Sequence, residues 1–198
     1  MSLLLMLTLA ATPPPPAALT EVAARLASAP AWQVSFVQEY VPAGFETGTK
    51  EAGTLLLAPP SRLRFDYGST GRVFAVDGSI ARHVDQPAGV CDAVLLTASA
   101  WARLPLATLL DPAAAAQVFT IEPMAGGLQL VPREPYPDLA SITLEHDRDG
   151  TVIRLVITDE SGNRNLFSFS GWQRMPLPAI SRFRPGLTGE APCQPEAQ

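Results

Sequence analysis

A chain of 198 residues with 47% hydrophobic but only 17% charged side chains has material for one ordinary core and too little charge to be held open by repulsion. Its net charge of -5, with 14 scattered basic residues and no Lys/Arg run, excludes nucleic acid and anionic membrane surfaces as natural partners. The 20 prolines, about twice the usual share, exclude a bundle of long helices and favour strands and turns.

In chain order, residues 3–11 form an apolar run that is too short to cross a bilayer, which takes about 18 residues. Small residues Ala10 and Ala11 precede the break at Pro13 to Pro16, as in the core of a secretion signal, although the basic start is missing. The other reading is an irregular start. Residues 1–17 are therefore expected to be a signal and proline-rich linker, 18–188 a single domain, and 189–198 an irregular tail. No cysteine follows the run, so an exported product would lack a lipid anchor.

Leu19, Val22, Ala23 and Leu26 recur at helical spacing, Thr20 can cap and Pro30 stops the segment, which predicts a helix over 19–29. Trp32, Val34, Phe36 and Tyr40 then alternate with polar residues, the period of a strand with one apolar face. Strands follow at 53–58 and at Arg62–Tyr67, joined by the turn Pro59-Pro60-Ser61. Asp77-Gly78 predicts a tight hairpin between 73–76 and 79–84. Residues 93–110, rich in Leu and Ala, read as two short helices interrupted at Pro105 and closed at Asp111-Pro112. Further strands are expected at 117–122, 127–132, 141–145, 151–159 and 166–170, with a last one at 179–184.

Short turns between successive strands mean an antiparallel meander. One face of the later strands is apolar, with Ile142, Leu144, Ile153, Leu155, Ile157, Phe167 and Phe169, and the other is polar. Such a sheet must curl and be covered, and the helical segments are the material available. The fold class is mainly β with helices (α+β), with a strongly curved antiparallel sheet covered on its concave, apolar face. Whether Trp101, Leu104, Leu106, Leu109 and Leu110 complete a dry core or cover a hollow is a distinction that periodicity alone does not make.

Catalytic groups are sparse. His83 and His146 stand near no cysteine and in no ligand spacing, and there is no P-loop, GxGxxG or GxSxG. Asp147 and Asp149 around Arg148 fit a tight turn better than a calcium loop. No enzyme, metal or cofactor is predicted. Cys91 and Cys193 match no metal spacing; they are either a disulfide in an oxidising compartment or two free thiols.

Three pieces in order carry a family resemblance: Ser35-Phe36-Val37-Gln38, then Gly53-Thr54-Leu55-Leu56-Leu57-Ala58-Pro59-Pro60 with Arg62-Leu63-Arg64-Phe65-Asp66-Tyr67, then Val76-Asp77-Gly78. Weaker agreement runs through residues 105–110, Gly127–Pro132 and Phe183-Arg184-Pro185. The set resembles the periplasmic outer-membrane lipoprotein carriers of the LolA family. The resemblance implies an unclosed β-barrel with an α-helical lid, whose hollow shields the acyl chains of lipoproteins in the periplasm. It implies a monomer that receives cargo from an inner-membrane ABC transporter and passes it to an outer-membrane acceptor. The implied hollow residues are Phe36, Leu55, Leu57, Leu63, Phe65 and Tyr67, then Leu128, Leu130, Ile142, Leu144, Ile153, Leu155, Phe167 and Phe169. The implied lid residues are Trp101, Leu104, Leu106, Leu109 and Leu110. The chain departs from the family where a basic residue that helps hold the lid is replaced by Pro59. A sensor or regulator of envelope stress with the same fold is the competing reading.

Overall fold

A computed structural model describes residues 16–97, 100–101, 104–136 and 138–195. The expected signal at 3–11, the prolines 13–15 and the last three residues of the tail lie outside the described residues, as do 98, 99, 102 and 103 of the expected helical segment 93–110.

Helix α1 (Ala17–Ala27) buries Leu19, Val22 and Leu26, the spacing read from the sequence. It begins two residues earlier than expected, and Thr20 does not cap it: its hydroxyl donates back to the Pro16 carbonyl at 3.4 Å. The other end is tied to the sheet, because Trp32 Nε1 donates to the Leu26 carbonyl at 2.7 Å. That bond satisfies a helix-end acceptor that would otherwise be lost in the core.

Eleven strands follow: β1 (Ala31–Val41), β2 (Thr49–Ala58), β3 (Arg62–Tyr67), β4 (Arg72–Asp77), β5 (Ile80–Asp85), β6 (Val90–Leu95), β7 (Phe119–Met124), β8 (Gly127–Pro132), β9 (Ser141–His146), β10 (Val152–Thr158) and β11 (Arg164–Met175). They form one antiparallel sheet in the order β6-β5-β4-β3-β2-β1-β11-β10-β9-β8-β7. Its edges β6 and β7 do not pair, so the barrel is unclosed. Between them run α2 (Ala107–Leu110) and α3 (Pro112–Val118), both packed against α1. This is the predicted mainly-β architecture with helices over the concave face.

Three expectations are corrected. Residues 93–95 belong to edge strand β6, not to a helix; an edge strand with mostly exposed side chains leaves no buried alternation to read. Asp111-Pro112 does not end the helical segment but opens α3, with Asp111 Oδ1 accepting from Ala114 N at 2.9 Å, so Gln117 is helical and β7 starts at Phe119. Finally, 179–184 is not a strand. Ile180–Phe183 is a 3-10 turn between prolines that lies on the convex face and drives Phe183, fully buried, among Ala31, Leu56 and Ala58.

The carboxyl-terminal segment is bonded across that convex face. Cys91 in β6 forms a disulfide with Cys193, so of the two readings of the cysteines the bridge is the one present. Arg82 is 2% exposed and donates through Nη1 to Asp77 Oδ2 and through Nε to the Cys193 carbonyl, each at 2.9 Å. Arg184 Nε donates to the same Asp77 oxygen at 2.8 Å. Gly78, at φ +112°, makes the expected hairpin turn, but the aspartate before it also anchors this buried network.

Burial pushes the Asp77 carboxyl up, yet the hydrogen bonds from Arg82, from the Ile80 and Ser79 amides and from Arg184 outweigh it and hold the carboxyl below its usual range. Its contribution to stability is therefore complete above the unfolded pKa of about 4 and is lost as pH falls through the lower folded value. Asp77→Ala is expected to cost about 3 kcal/mol at pH 7, since it strands a buried guanidinium. In urea unfolding the gap between wild type and variant should close below about pH 4.

Candidate functional site

The concave face is built by register. Leu55, Phe65 and Phe74 stand in line across β2, β3 and β4, while Leu57, Leu63 and Val76 form the next row toward the helices. On the other side of β1, Phe36 faces Phe169, and Leu155 faces Phe167 and Leu144. Gly53 makes room for the centre of this face: a Cβ there would come within 2.7 Å of the Phe36 ring and 2.1 Å of the Asp66 carbonyl. The ring of Phe36 can then meet Phe65 and Tyr67 edge-on, at centroid distances of 5.1 and 5.2 Å.

All of the expected hollow residues except Ile153 join one apolar cluster, together with the five expected lid residues. Ile153 is a correction: it is 44% exposed because the β9–β10 register shifts between Val152 and Arg154, which turns Val152 inward in its place. The cluster divides in two. Leu55, Leu57, Leu128, Leu130, Ile142 and Leu144 are buried with α1's Leu19, Val22 and Leu26, and none of the six borders the cleft. Leu63, Phe65, Tyr67, Leu155 and Phe167 instead line an open cleft of about 150 Å³, with Leu104 and Leu106 above them.

Phe74, Pro105 and Ile157 complete the cleft and were absent from the expected set. Phe74 could have been found as the cross-strand partner of Phe65, and Ile157 lies on the face already read as apolar. Pro105, read only as a break, is the turn that carries Leu104 and Leu106 over the sheet; its carbonyl accepts from the buried Thr108 hydroxyl at 2.6 Å.

Position 59 is a proline, so the cation expected from the family pattern is absent there. Pro59 and Pro60 border a surface hollow beside Ser28, Ala29 and Pro30 at the end of α1, whereas α2 rests on α1 and α3. At the cleft's outer end Tyr67 Oη donates to Gln38 Oε1 at 2.6 Å, and burial pushes the phenol up to about 12. Among the described residues no three His, Cys, Asp or Glu side chains gather as a metal site.

A half-barrel with an apolar cleft under a helical cover defines a class of protein by shape. The chain belongs to the family described as outer membrane lipoprotein carrier protein LolA, which it matches over residues 27–185. It is 27% identical over 156 residues to an outer-membrane lipoprotein carrier protein of Xanthomonas oryzae pv. oryzae (strain MAFF 311018), covering 75% of this chain and 74% of that one. A conserved protein of Thermus thermophilus is similar in fold, with a TM-score of 0.51 at 14% identity over 84% of this chain and 90% of that one. A LolA superfamily protein of Nitrosomonas europaea gives 0.46 at 11% identity, over 83% and 96%.

Proposed function

We propose that this protein is a periplasmic carrier that shields lipoprotein acyl chains in the cleft. It would take them from an inner-membrane ABC transporter and pass them, as a monomer, to an outer-membrane acceptor. Residues 3–11 would direct its export. The single observation that carries the reading is an apolar cleft lying between the curved sheet and a helical cover, in a chain of the carrier family.

The small volume supports a carrier whose cover gives way to its cargo. A cleft of about 150 Å³ is the size of a protein cavity that takes up benzene, some six carbons. A whole acyl chain therefore enters only if Leu104, Leu106 and their neighbours move out. Burial of a chain of about 16 carbons, at ~0.8 kcal/mol per methylene, is worth on the order of 12 kcal/mol, too much for ready release. When lid leucines must leave the same sheet face to admit it, only the difference between two apolar burials appears as affinity, and transfer onward stays feasible.

The experiment is purification of the protein from the periplasm followed by mass spectrometry of what accompanies it. Enrichment of acylated proteins is the expected outcome; a preparation that never carries one counts against the proposal.

A further inference from the structure

The apolar cleft ends in a polar row. Two residues beyond Phe65 along β3, about 7 Å away, the concave face carries Tyr67 flanked by Gln38, Asn165, Glu51 and Arg72. Tyr67 Oη donates to Gln38 Oε1 at 2.6 Å, and Gln38 Nε2 donates to Asn165 Oδ1 at 2.7 Å. Register sets this chain of bonds against the cleft wall: Gln38 stands opposite Phe167, and Asn165 opposite Ile157. Asn165 Nδ2 donates to no protein acceptor among the described residues, so the relay ends in an open donor.

The row's charges cancel. Arg72, whose guanidinium lies 5.2 Å from the centre of the Tyr67 ring, is paired with Glu51. A free carboxylate or phosphate would meet a cation already taken and a carboxylate beside it. A neutral carbonyl oxygen would meet an amide donor without that repulsion. The Tyr67 phenol, pushed up to about 12 by burial, remains protonated and keeps the relay polarised toward Asn165.

We infer that Gln38, Tyr67 and Asn165 form a subsite for the ester or amide carbonyl that joins an acyl chain to its cargo, with Asn165 Nδ2 as the donor. This rests on the carrier reading and adds to it a polar recognition element, so that the cleft selects acyl chains over plain alkyl chains.

The test compares three probes in tryptophan fluorescence titrations: a tripeptide bearing a hexadecanoyl ester on its serine, the same tripeptide bearing a hexadecyl ether, and free hexadecanoate. Wild type should prefer the ester over the ether about tenfold, the yield of one added hydrogen bond. Asn165→Leu should reduce that preference to about twofold or less, and Tyr67→Phe, which keeps the ring in the cleft wall, to about threefold. Equal binding of ester and ether by wild type would overturn the subsite and leave the carrier reading standing. So would a tenfold preference that persists in both variants, or a tighter grip on hexadecanoate than on the ester. Failure of wild type to bind either tripeptide would overturn both.

Discussion

Phe65→Glu is expected to lower lipoprotein capture by about 100-fold or more, measured as acylated protein retained on the immobilised protein. Phe65 is 7% exposed and packs its ring against Phe36 and Phe167 at centroid distances of 5.1 and 5.7 Å, so a carboxylate there would stand in the middle of the apolar wall. Burying that charge beneath an acyl chain costs several kcal/mol, and ~2.7 kcal/mol already corresponds to a hundredfold. The substitution also loosens the core. Leu104→Glu therefore accompanies it, on the half-buried lid side of the same cleft, where a charge can reach water when the cleft is empty. Loss of capture by Leu104→Glu at unchanged melting temperature assigns the effect to the cleft; full capture by both variants contradicts it.

The second large effect concerns the opposite face of the sheet. Replacing both Cys91 and Cys193 by Ser is expected to destabilise the protein by about 5 kcal/mol, because the bridge closes a loop spanning 102 residues. For a domain of this size that lowers the melting temperature by roughly 10–20 °C. Cys91 stands opposite Val84 on the convex side, so lipoprotein capture below the melting temperature should be untouched. A change of less than about 1 kcal/mol would mean that the Arg82, Asp77 and Arg184 network holds the carboxyl-terminal segment without the bridge.

The strands were legible where one face is buried and the other wet: Leu63, Phe65 and Tyr67 alternate with Arg62, Arg64 and Asp66 in sequence and point to opposite faces in the structure. Edge strand β6 was not legible, since it buries almost nothing, and neither was the bulge that turns Ile153 outward, since a register shift leaves no mark in composition. The 3-10 turn at Ile180–Phe183 was misread as a strand because its single buried anchor, Phe183, is defined by a tertiary contact with Leu56 and Ala58. For the site, the sequence supplied the apolar set but not its division. Leu55 and Leu130 read like Phe65 and Phe167, and only the path of the helices over the sheet decides which are sealed as core and which border an opening. The relay from Tyr67 to Asn165 runs through Gln38, which lies 127 positions from Asn165 in the chain, and register alone brings the two together.

The most direct measurement places a photo-crosslinking amino acid at position 65 in the cleft and, separately, at Val37, an exposed convex-face residue of β1, and identifies the products crosslinked in cells by mass spectrometry. Adducts between position 65 and the acyl groups of lipoproteins, with none from position 37, are the predicted result. Adducts of equal yield from both positions, or none from position 65, would contradict it.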